Sequence, residues 1–296
     1  MKKLLYSLLF LLFVISCKPI NTKTDIKENE LSGKVKSLIY YKYRMYHRSW
    51  EKDFLPRETL FFNEKGFLVK EEGFDSYGEV NGEILYTYDD KDYLMNLRSK
   101  FDNNNEYMED YTYNSKGSLI KKVERNHSQY QDVTTYLLSY DNFGNLIEEI
   151  EQGIDETWIE KHIYKYSNRN LILEDKEYHN GKYESLHSYD YNIEGACIKE
   201  TTKFIDSYID FTTQIFDYKG NKVESTVYTN EKIERHEKLD YDLNNNLIKM
   251  VHRAIDYSYS NEWVYSYDKH RNWITKDSYF NGELIAKYKR EIEYYE

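Results

Sequence analysis

The chain has 296 residues, of which 33 are tyrosine and only 2 are proline, and its formal net charge is −11. Nucleic-acid binding requires a basic surface that neutralises phosphates, so this acidic balance excludes that class of partner. Aromatic residues make up 17 % of the chain, which excludes extensive disorder. Tyrosine at this frequency favours β-strands, because its amphipathic ring suits a half-buried pleated surface.

The N-terminus has the pattern of an export signal. Lys2 and Lys3 precede an apolar run, residues 4–15, that is too short to span a bilayer comfortably. The run leads into VISC, residues 14–17, which resembles the lipobox of bacterial lipoproteins. The resemblance implies cleavage before Cys17, attachment of lipid to it, and anchoring at the outer membrane or cell surface. An ordinary secretory signal and an uncleaved anchor helix are the alternatives.

The following segment is polar and has no apolar period, so we expect a flexible tether. After cleavage, Cys17 and Cys197 are the two cysteines of the mature chain. If Cys17 carries lipid, Cys197 has no disulfide partner within the chain, and stability must come from the sheet and its core. The predicted organisation is a signal peptide (1–16), a polar tether (17–32) and one β-repeat domain (33–296).

One pattern recurs through the predicted domain with a period of about 25 residues, which is typical of a repeat architecture. Its anchor is an aromatic residue, found at Phe62, Tyr88, Tyr113, Tyr140, Tyr166, Tyr191, Phe216, Tyr241 and Tyr267. The residue after the anchor is usually Asp or Asn, and Gly or Asn usually follows three positions later. This order is typical of a three-residue hairpin loop whose last position needs a positive φ.

The predicted loop places each anchor opposite the residue six positions later, which is usually apolar. Such cross-strand pairs contribute about 0.2–1 kcal/mol each. Cys197 occupies one of these positions, which predicts a small buried hydrophobe and not a catalytic thiol. Arg271 stands where other units have Gly or Asn, so we expect that turn to be strained or to have a different shape. Asn81-Gly82, Asn180-Gly181 and Asn281-Gly282 are predicted to form the turns at the other end of the hairpins.

These signals predict an all-β fold, an antiparallel meander of about twenty strands built from two-strand repeats of about 25 residues. Residues 33–35 resemble the second half of a unit, and residues 284–295 resemble the first half of another. A sheet of this length must curl or split. We therefore expect a curled shell or spiral with its Tyr/Leu face inside, and an elongated single-layer sheet is the alternative.

The phrases LSYDNFGNLIEE, YTYNSKGSLIKK and YSYDKHRNWITK resemble the YD repeat of the Rhs family, and the resemblance covers roughly residues 60–280. It implies a β-hairpin repeat lipoprotein of a kind that occurs among Bacteroidetes-type bacteria. In large members of the family, many YD repeats build a hollow β shell that encloses a C-terminal toxin. This chain has far fewer units, so a role in toxin delivery is not expected.

Motifs that would indicate a metal site, a phosphate-binding loop or a nucleophile are absent from the sequence, so we predict no cofactor, no metal and no catalytic residue. Surplus aromatic residues are the candidates for ligand binding. Trp158, Tyr183 and Tyr208 share a position eight residues before their anchors, and Trp263 stands two before Tyr265. A row of exposed rings could stack on sugars or grip an extended partner, and the alternative is that these rings form core.

The sequence therefore predicts a non-enzymatic, lipid-anchored repeat protein of the cell envelope that binds or scaffolds. Its expected partners are the membrane, through the lipid, and a protein or glycan of the envelope. One alternative is an immunity or accessory protein of an Rhs-type toxin system. A second alternative is an envelope glycan hydrolase, which would need two converging carboxylates.

Overall fold

The computed structural model describes residues 25–29, 31–46, 49–50, 55–101, 106–127, 131–154 and 158–296. One short helix, α1 (Asp25–Glu28), precedes 21 strands. The strands are β1 (Val35–Tyr46), β2 (Ser49–Trp50), β3 (Pro56–Phe62), β4 (Leu68–Phe74), β5 (Val80–Tyr88), β6 (Leu94–Phe101), β7 (Glu106–Tyr113), β8 (Leu119–His127), β9 (Gln131–Tyr140), β10 (Leu146–Gly153), β11 (Ile159–Tyr166), β12 (Ile172–His179), β13 (Lys182–Tyr191), β14 (Cys197–Phe204), β15 (Phe211–Phe216), β16 (Lys222–Thr229), β17 (Lys232–Tyr241), β18 (Leu247–Ala254), β19 (Ser258–Tyr267), β20 (Trp273–Phe280) and β21 (Glu283–Tyr294).

The strands close into a barrel. From β3 to β21 each strand pairs with the next in antiparallel register, and β1 pairs with both β3 and β21. The two-residue β2 pairs with β1, which leaves 20 strands in the closed wall. The predicted antiparallel meander of about twenty strands is confirmed. The expectations of an open spiral or a single-layer sheet are wrong, because the first and last strands bond to each other and leave no free edge.

The nine turns that follow the anchors are confirmed, and they all lie at one edge of the barrel, here called the anchor rim. Each anchor pairs with the residue six positions later, from Phe62 with Leu68 to Tyr267 with Trp273. The fourth residue after each anchor has a positive φ, including Arg271 at 67°. Since this conformation costs a residue with a Cβ about 1–2 kcal/mol, the expected strain at Arg271 is present.

A tenth turn of the same kind is assembled from the two ends of the domain. Tyr294 takes the anchor position and pairs with Val35, and Gly33 has a φ of 88°, as the turn glycines do. The N–H of Tyr295 donates to the carbonyl of Lys34 at 2.8 Å, which repeats the backbone bond that closes each intact turn. The two half-units that the sequence places at the ends therefore complete each other and close the wall. We call this junction of β21, β1 and β3 the seam.

The turns at the opposite edge, here called the far rim, are confirmed in two of three cases. Asn180-Gly181 and Asn281-Gly282 form two-residue turns with both residues at positive φ. The prediction for Asn81-Gly82 is wrong, because both residues lie within β5. The chain reverses instead at residues 75–79, where the Asp75 side chain accepts backbone N–H bonds of 2.8 and 3.0 Å. That turn uses the same Asp-x-x-Gly chemistry as the anchor turns.

The anchor side chains point into the barrel. The rings of Tyr40 on β1 and Trp273 on β20 lie 6.2 Å apart between centroids, although β21 separates their strands. Side chains of non-adjacent strands converge in this way on the concave face of a curved sheet. Because side chains alternate along a strand, every second residue counted from an anchor shares this inner face. The predicted inward orientation of the Tyr/Leu face is therefore confirmed.

The barrel is wide enough to enclose a lumen. Following the paired residues from strand to strand once around the barrel leads back to β1 at a point about 20 residues from the starting residue. This displacement, the shear number, therefore equals the number of strands in the wall. This ratio corresponds to a strand tilt of about 36° and a backbone diameter of about 35 Å. The accessible surface of 20054 Å² exceeds the roughly 13,000 Å² of a compact protein of 36.0 kDa. Both faces of the wall contribute to that surface.

The main apolar cluster lies at the anchor rim beside the seam. It contains Ile26, Leu31, Val35, Leu38, Leu60, Phe62 and Leu68. The Asp25 carboxylate accepts the Leu68 N–H at 2.6 Å, and the Ile26 N–H donates to the Gly66 carbonyl at 3.1 Å. Residues 25–29 and 31–32 thus pack onto the barrel, which differs from the prediction that residues 17–32 form a tether. Residues 1–24, with the predicted signal peptide and Cys17, lie outside the described residues.

The outer face carries cross-strand ion pairs between neighbouring strands. Lys165 and Glu174 lie 2.9 Å apart, and Lys249 and Glu262 also lie 2.9 Å apart. Exposed pairs of this kind contribute about 0–1 kcal/mol each, so they add little to stability. They place charge on an outer face that also exposes apolar side chains, such as Leu85 and Val264. Among the described residues, no helix has the length and hydropathy needed to cross a membrane.

Candidate binding site on the inner wall

Tyrosine hydroxyls on the inner wall connect neighbouring repeats. The Tyr113 hydroxyl donates to the Leu94 carbonyl at 3.0 Å, and the Tyr140 hydroxyl donates to the Leu119 carbonyl at 2.7 Å. Each acceptor is the residue that faces the preceding anchor. Burial raises the pKa of both Tyr113 and Tyr140 to about 12, so both hydroxyls remain protonated donors at neutral pH. These anchors are structural, and the remaining inner-face residues determine what the lumen can bind.

The charged residues of the inner wall are segregated. From β3 to β14 the inner face carries mainly acids, which we call the acidic wall: Glu58, Glu71, Glu109, Glu124, Asp132, Glu149, Glu151, Glu160, Asp175, Glu177 and Glu200. From β16 to β21, and on β1, it carries Glu237 but mainly cations: Lys42, Lys222, Arg235, Lys276 and Arg290. Lys122 is a cation within the acidic wall, where it pairs with Glu124. The lumen therefore has an acidic side and a basic side.

Tyrosines and histidines support the carboxylates of the acidic wall. The Tyr136 hydroxyl donates to Glu151 at 3.0 Å, and burial raises the pKa of the Glu151 carboxyl. His162 Nδ1 lies 3.0 Å from Asp175 Oδ1 on the neighbouring strand. Burial alone would lower the pKa of His162, but the hydrogen bond and the charge of Asp175 raise it. The carboxylates are thus held within a bonded network of the wall.

Three side chains of this wall are arranged in the order of a catalytic triad, with a nucleophile, a base and an acid. Ser185 Oγ lies 3.3 Å from His187 Nε2, and His187 Nδ1 lies 3.0 Å from Glu200 Oε1. Burial lowers the pKa of His187, but hydrogen bonds to Glu177 and Glu200 outweigh it and raise the pKa to about 9. A protonated imidazole cannot accept the serine proton. Ser185 itself is 1 % exposed and donates to Glu177 at 2.5 Å.

This arrangement favours an electrostatic brace between β12, β13 and β14 over a catalytic triad. The brace was not predicted, although the repeat contains a signal for it. His162 and His187 share a repeat position, and each contacts a carboxylate 13 residues later, Asp175 and Glu200, diagonally across the paired strands. A histidine and an acid at that spacing lie on paired strands of one hairpin, on the same face. Their contact could therefore have been inferred from the register alone.

The basic side contains a cluster of cations stacked on aromatic rings, which we call the basic patch. Its members are Lys42, Trp273, Lys276, Tyr288 and Arg290. Arg290 Cζ lies 3.7 Å from the centroid of Trp273, which is 7 % exposed. Lys276 Nζ lies 4.4 Å from the Tyr288 centroid and Lys42 Nζ lies 5.3 Å from it. All these distances are within the range of cation–π attraction.

The geometry of the basic patch suits the recognition of an anion. Three cations from three neighbouring strands converge on one area of the inner face, and the rings beneath them restrict their rotamers. Glu58 contributes a carboxyl group beside them. Burial and the nearby Glu71 raise its pKa, and the Arg290 charge opposes that shift. The basic patch therefore brings together three cations and at least one carboxyl group, in a chain with a net charge of −11.

The four predicted ligand-binding aromatics do not form one row. Trp158 and Tyr208 precede β11 and β15 at the far rim, where Tyr208 is 72 % exposed. Tyr183 lies on the outer face, with its ring 5.4 Å from that of Tyr178. Trp263 lies on the inner face of β19 and lines a shallow cavity of about 390 Å³. The residues share sequence positions relative to the anchors, but the structure distributes them over three surfaces.

Cys197 lies where the sequence analysis places it, opposite Tyr191 on the inner face. It is half-buried, and burial raises the pKa of its thiol, which disfavours the reactive thiolate. Within the described parts of the chain, no group of three or more His, Cys, Asp or Glu residues is arranged to hold a metal ion.

No family model and no curated protein matches this chain. Among solved structures, similarity is found to the TcdB2-TccC3-Cdc42 complex, at 10 % identity and a TM-score of 0.38 over 81 % of this chain. The chain spans only 17 % of that much longer protein. Porin-like proteins of Bacteroides uniformis and Bacteroides vulgatus are similar at 13 % and 11 % identity, with TM-scores of 0.36 and 0.32. These matches cover 88 % and 89 % of this chain and 98 % and 99 % of the porin-like chains. At such TM-scores the similarity supports no conclusion about fold or function.

Proposed function

We propose that this chain is a lipid-anchored protein of the cell envelope that binds an anionic partner inside its barrel and catalyses no reaction. The anchor is inferred from the VISC motif at residues 14–17, and the proposed location is the outer membrane or cell surface. The observation that supports the binding role is the segregation of charge on the inner wall. An anion in the lumen is repelled by the acidic wall and attracted to the basic patch.

An acidic oligosaccharide is the partner that fits the basic patch best. Carboxylate or sulfate groups on a sugar form charge-assisted hydrogen bonds with Lys and Arg, which are about twice as strong as neutral ones. A lumen about 35 Å across between backbones also admits an oligosaccharide chain.

A binding experiment with acidic and neutral oligosaccharides tests this proposal. The protein is expected to bind acidic chains, and Lys276→Glu is expected to weaken that binding at least tenfold. Loss of one hydrogen bond to a charged group accounts for about 1.5–3 kcal/mol, which corresponds to such a factor. Isothermal titration calorimetry measures the affinity of both proteins.

Lys289→Glu is the matched control, because Lys289 lies beside Arg290 on β21 but on the outer face. This control should bind as the unaltered protein does. Equal binding of neutral and acidic chains, or equal losses in the two variants, would contradict the proposed site.

The anchor has its own test. Cys17→Ser removes the atom that would carry the lipid, so the variant is expected to move from the membrane fraction to the soluble fraction. Immunoblots of fractionated cells measure this distribution. Retention of the variant in the membrane fraction would contradict the lipid anchor.

A further inference from the structure

The anchor rim presents large apolar side chains at the tips of its turns. Phe143, Ile193, Tyr218 and Leu243 are 83 %, 91 %, 81 % and 95 % exposed. They lie in the turns that follow β9, β13, β15 and β17, which are four of five successive anchor turns around the barrel. Apolar side chains at such exposure gain nothing from the fold itself. Four such side chains on one arc of the anchor rim indicate a contact surface there, although the far rim also exposes apolar side chains, among them Tyr77 and Tyr208.

The polypeptide enters the barrel at this same rim. Residues 25–29 and 31–32 pack beside the seam, and β1 starts there. Seven residues separate Cys17 from Asp25, so the distance between the two Cα atoms is at most about 28 Å. The strands have 6 to 12 residues in the wall, and at a tilt of about 36° the wall is about 25 Å high. The far rim could approach the membrane only if the whole connection ran fully extended along the wall.

From these two observations we infer that the anchor rim docks on the bilayer surface, with Phe143, Ile193, Tyr218 and Leu243 inserted among the lipid headgroups. The inference rests on the lipid anchor of the proposed function. The outer face mixes ion pairs, such as Lys165 with Glu174, with exposed apolar side chains such as Leu85 and Val264, so the entry of the chain at the anchor rim is what places the contact there. The far rim then faces away from the membrane, and a soluble partner enters the lumen from that side.

The far rim supplies matched control positions. Ile154 and Ile255 are 71 % and 77 % exposed and lie where β10 and β18 end. They resemble the anchor-rim tips in size and exposure but lie about 25 Å from them along the barrel axis. A general affinity of exposed apolar residues for lipid would affect both rims. Docking of the anchor rim affects the tips of that rim alone.

A fluorescent label at each rim tests the docking. Leu243→Cys and Ile255→Cys, each in a Cys197→Ser background, are labelled with an environment-sensitive dye in the lipidated full chain. The proteins are reconstituted in vesicles of phosphatidylcholine and phosphatidylglycerol that contain headgroup-spin-labelled lipid. We expect at least about twofold quenching at position 243 and none at position 255, as for an interfacial side chain. Equal quenching at the two positions, or none at 243, would overturn the docking.

A second variant distinguishes the contribution of the exposed apolar side chains from that of the lipid anchor. The combined substitutions Phe143→Ser, Ile193→Ser and Tyr218→Ser should release position 243 from the quencher while the protein remains in the membrane fraction. These side chains are exposed, so circular dichroism should show an unchanged fold. Persistent quenching in this variant would overturn the role of the tips. A label shielded from aqueous quencher but not quenched by spin-labelled lipid would indicate a protein partner and would also overturn lipid docking.

Cys17→Ser distinguishes failure of the docking from failure of the anchor. Release of Cys17→Ser from membranes, combined with an unquenched label at position 243 in the lipidated chain, would overturn the docking and leave the anchor intact. Retention of Cys17→Ser would overturn the anchor. The difference in quenching between positions 243 and 255 would then decide the docking by itself.

Discussion

Replacing Phe62 with alanine is expected to lower the free energy of unfolding by about 3–5 kcal/mol, the usual cost of removing a buried aromatic ring. Phe62 is 2 % exposed and belongs to the apolar cluster beside the seam. The hydroxyl of Tyr295, from the other end of the chain, donates to the Phe62 carbonyl at 2.6 Å. The ring therefore supports the place where the barrel closes. Urea denaturation followed by circular dichroism measures the loss.

Phe216→Ala is the control, because Phe216 holds the same repeat position on β15 but is only half-buried. We expect Phe216→Ala to lower the free energy of unfolding by no more than about half as much, because folding removes less apolar surface from water at Phe216. Equal losses in the two variants would show that the cluster beside the seam has no special weight in the stability of the barrel.

Replacing His187 with glutamine is expected to destabilise the protein by about 2–3 kcal/mol at pH 6 and by much less at pH 9.5. The folded pKa of about 9 lies above the ordinary 6.5, because Glu177 and Glu200 stabilise the imidazolium against the opposing effect of burial. Stabilisation by a raised pKa is complete below pH 6.5 and disappears as the pH rises through 9. The unaltered protein should therefore lose stability over that interval, and the variant should not.

Glu177, the hydrogen-bond partner of His187, sets the lower pH limit of this stabilisation. Hydrogen bonding to His187 lowers the pKa of Glu177 to about 2, so its contribution is present above its ordinary 4.5 and is lost as the pH falls through 2. The brace is thus fully effective between about pH 4.5 and 6.5. His179→Gln, at the far-rim end of β12, is the control for loss of an imidazole outside the brace, and it should cost much less stability at pH 6 than His187→Gln does. A profile for His187→Gln that parallels the unaltered protein would contradict the brace.

The turn chemistry of the repeat allowed most of the strand pairing to be predicted. Asp or Asn after an anchor, followed by Gly or Asn, determines the loop type, and the loop type determines which residues face each other. This is local information, so it holds at all nine anchors. It failed at Asn81-Gly82 because the neighbouring Asp75 initiates a competing turn of the anchor type. Two turn signals within a few residues cannot both be used.

Closure of the barrel could not be predicted in the same way. Whether a meander closes depends on the twist and stagger summed over all its strands, and no single hairpin contains that sum. The sequence nevertheless contains the complementary ends. Gly33 and Val35 match the second half of a turn, and Tyr294 matches its anchor. Recognising that the half-units at the two ends complete one another would have distinguished a barrel from a spiral.

The binding residues were harder to predict, because a shared repeat position does not guarantee a shared surface. Trp158 and Tyr208 lie before their strands begin, whereas Tyr183 lies within one, since the connections at the far rim differ in length and type. The basic patch was missed for a different reason. Lys42 comes from the first strand and Arg290 from the last, so only closure of the barrel brings them onto one surface.

Disulfide cross-linking across the seam tests the closed barrel most directly. Ile39 on β1 and Glu291 on β21 are direct partners on the outer face. Cysteines at these two positions, with Cys17 and Cys197 replaced by serine, should form an intramolecular disulfide on mild oxidation, because paired strands hold Cα atoms about 4.5–5.5 Å apart.

Moving the second cysteine to Lys287, four residues away on the same face of β21, places it about 13 Å from its partner position and should abolish the bond. An open sheet of twenty strands would separate its first and last strands by roughly 90 Å. A monomer cross-linked between positions 39 and 291, but not between 39 and 287, is the result that closure predicts. A monomer that stays reduced at both pairs would contradict it.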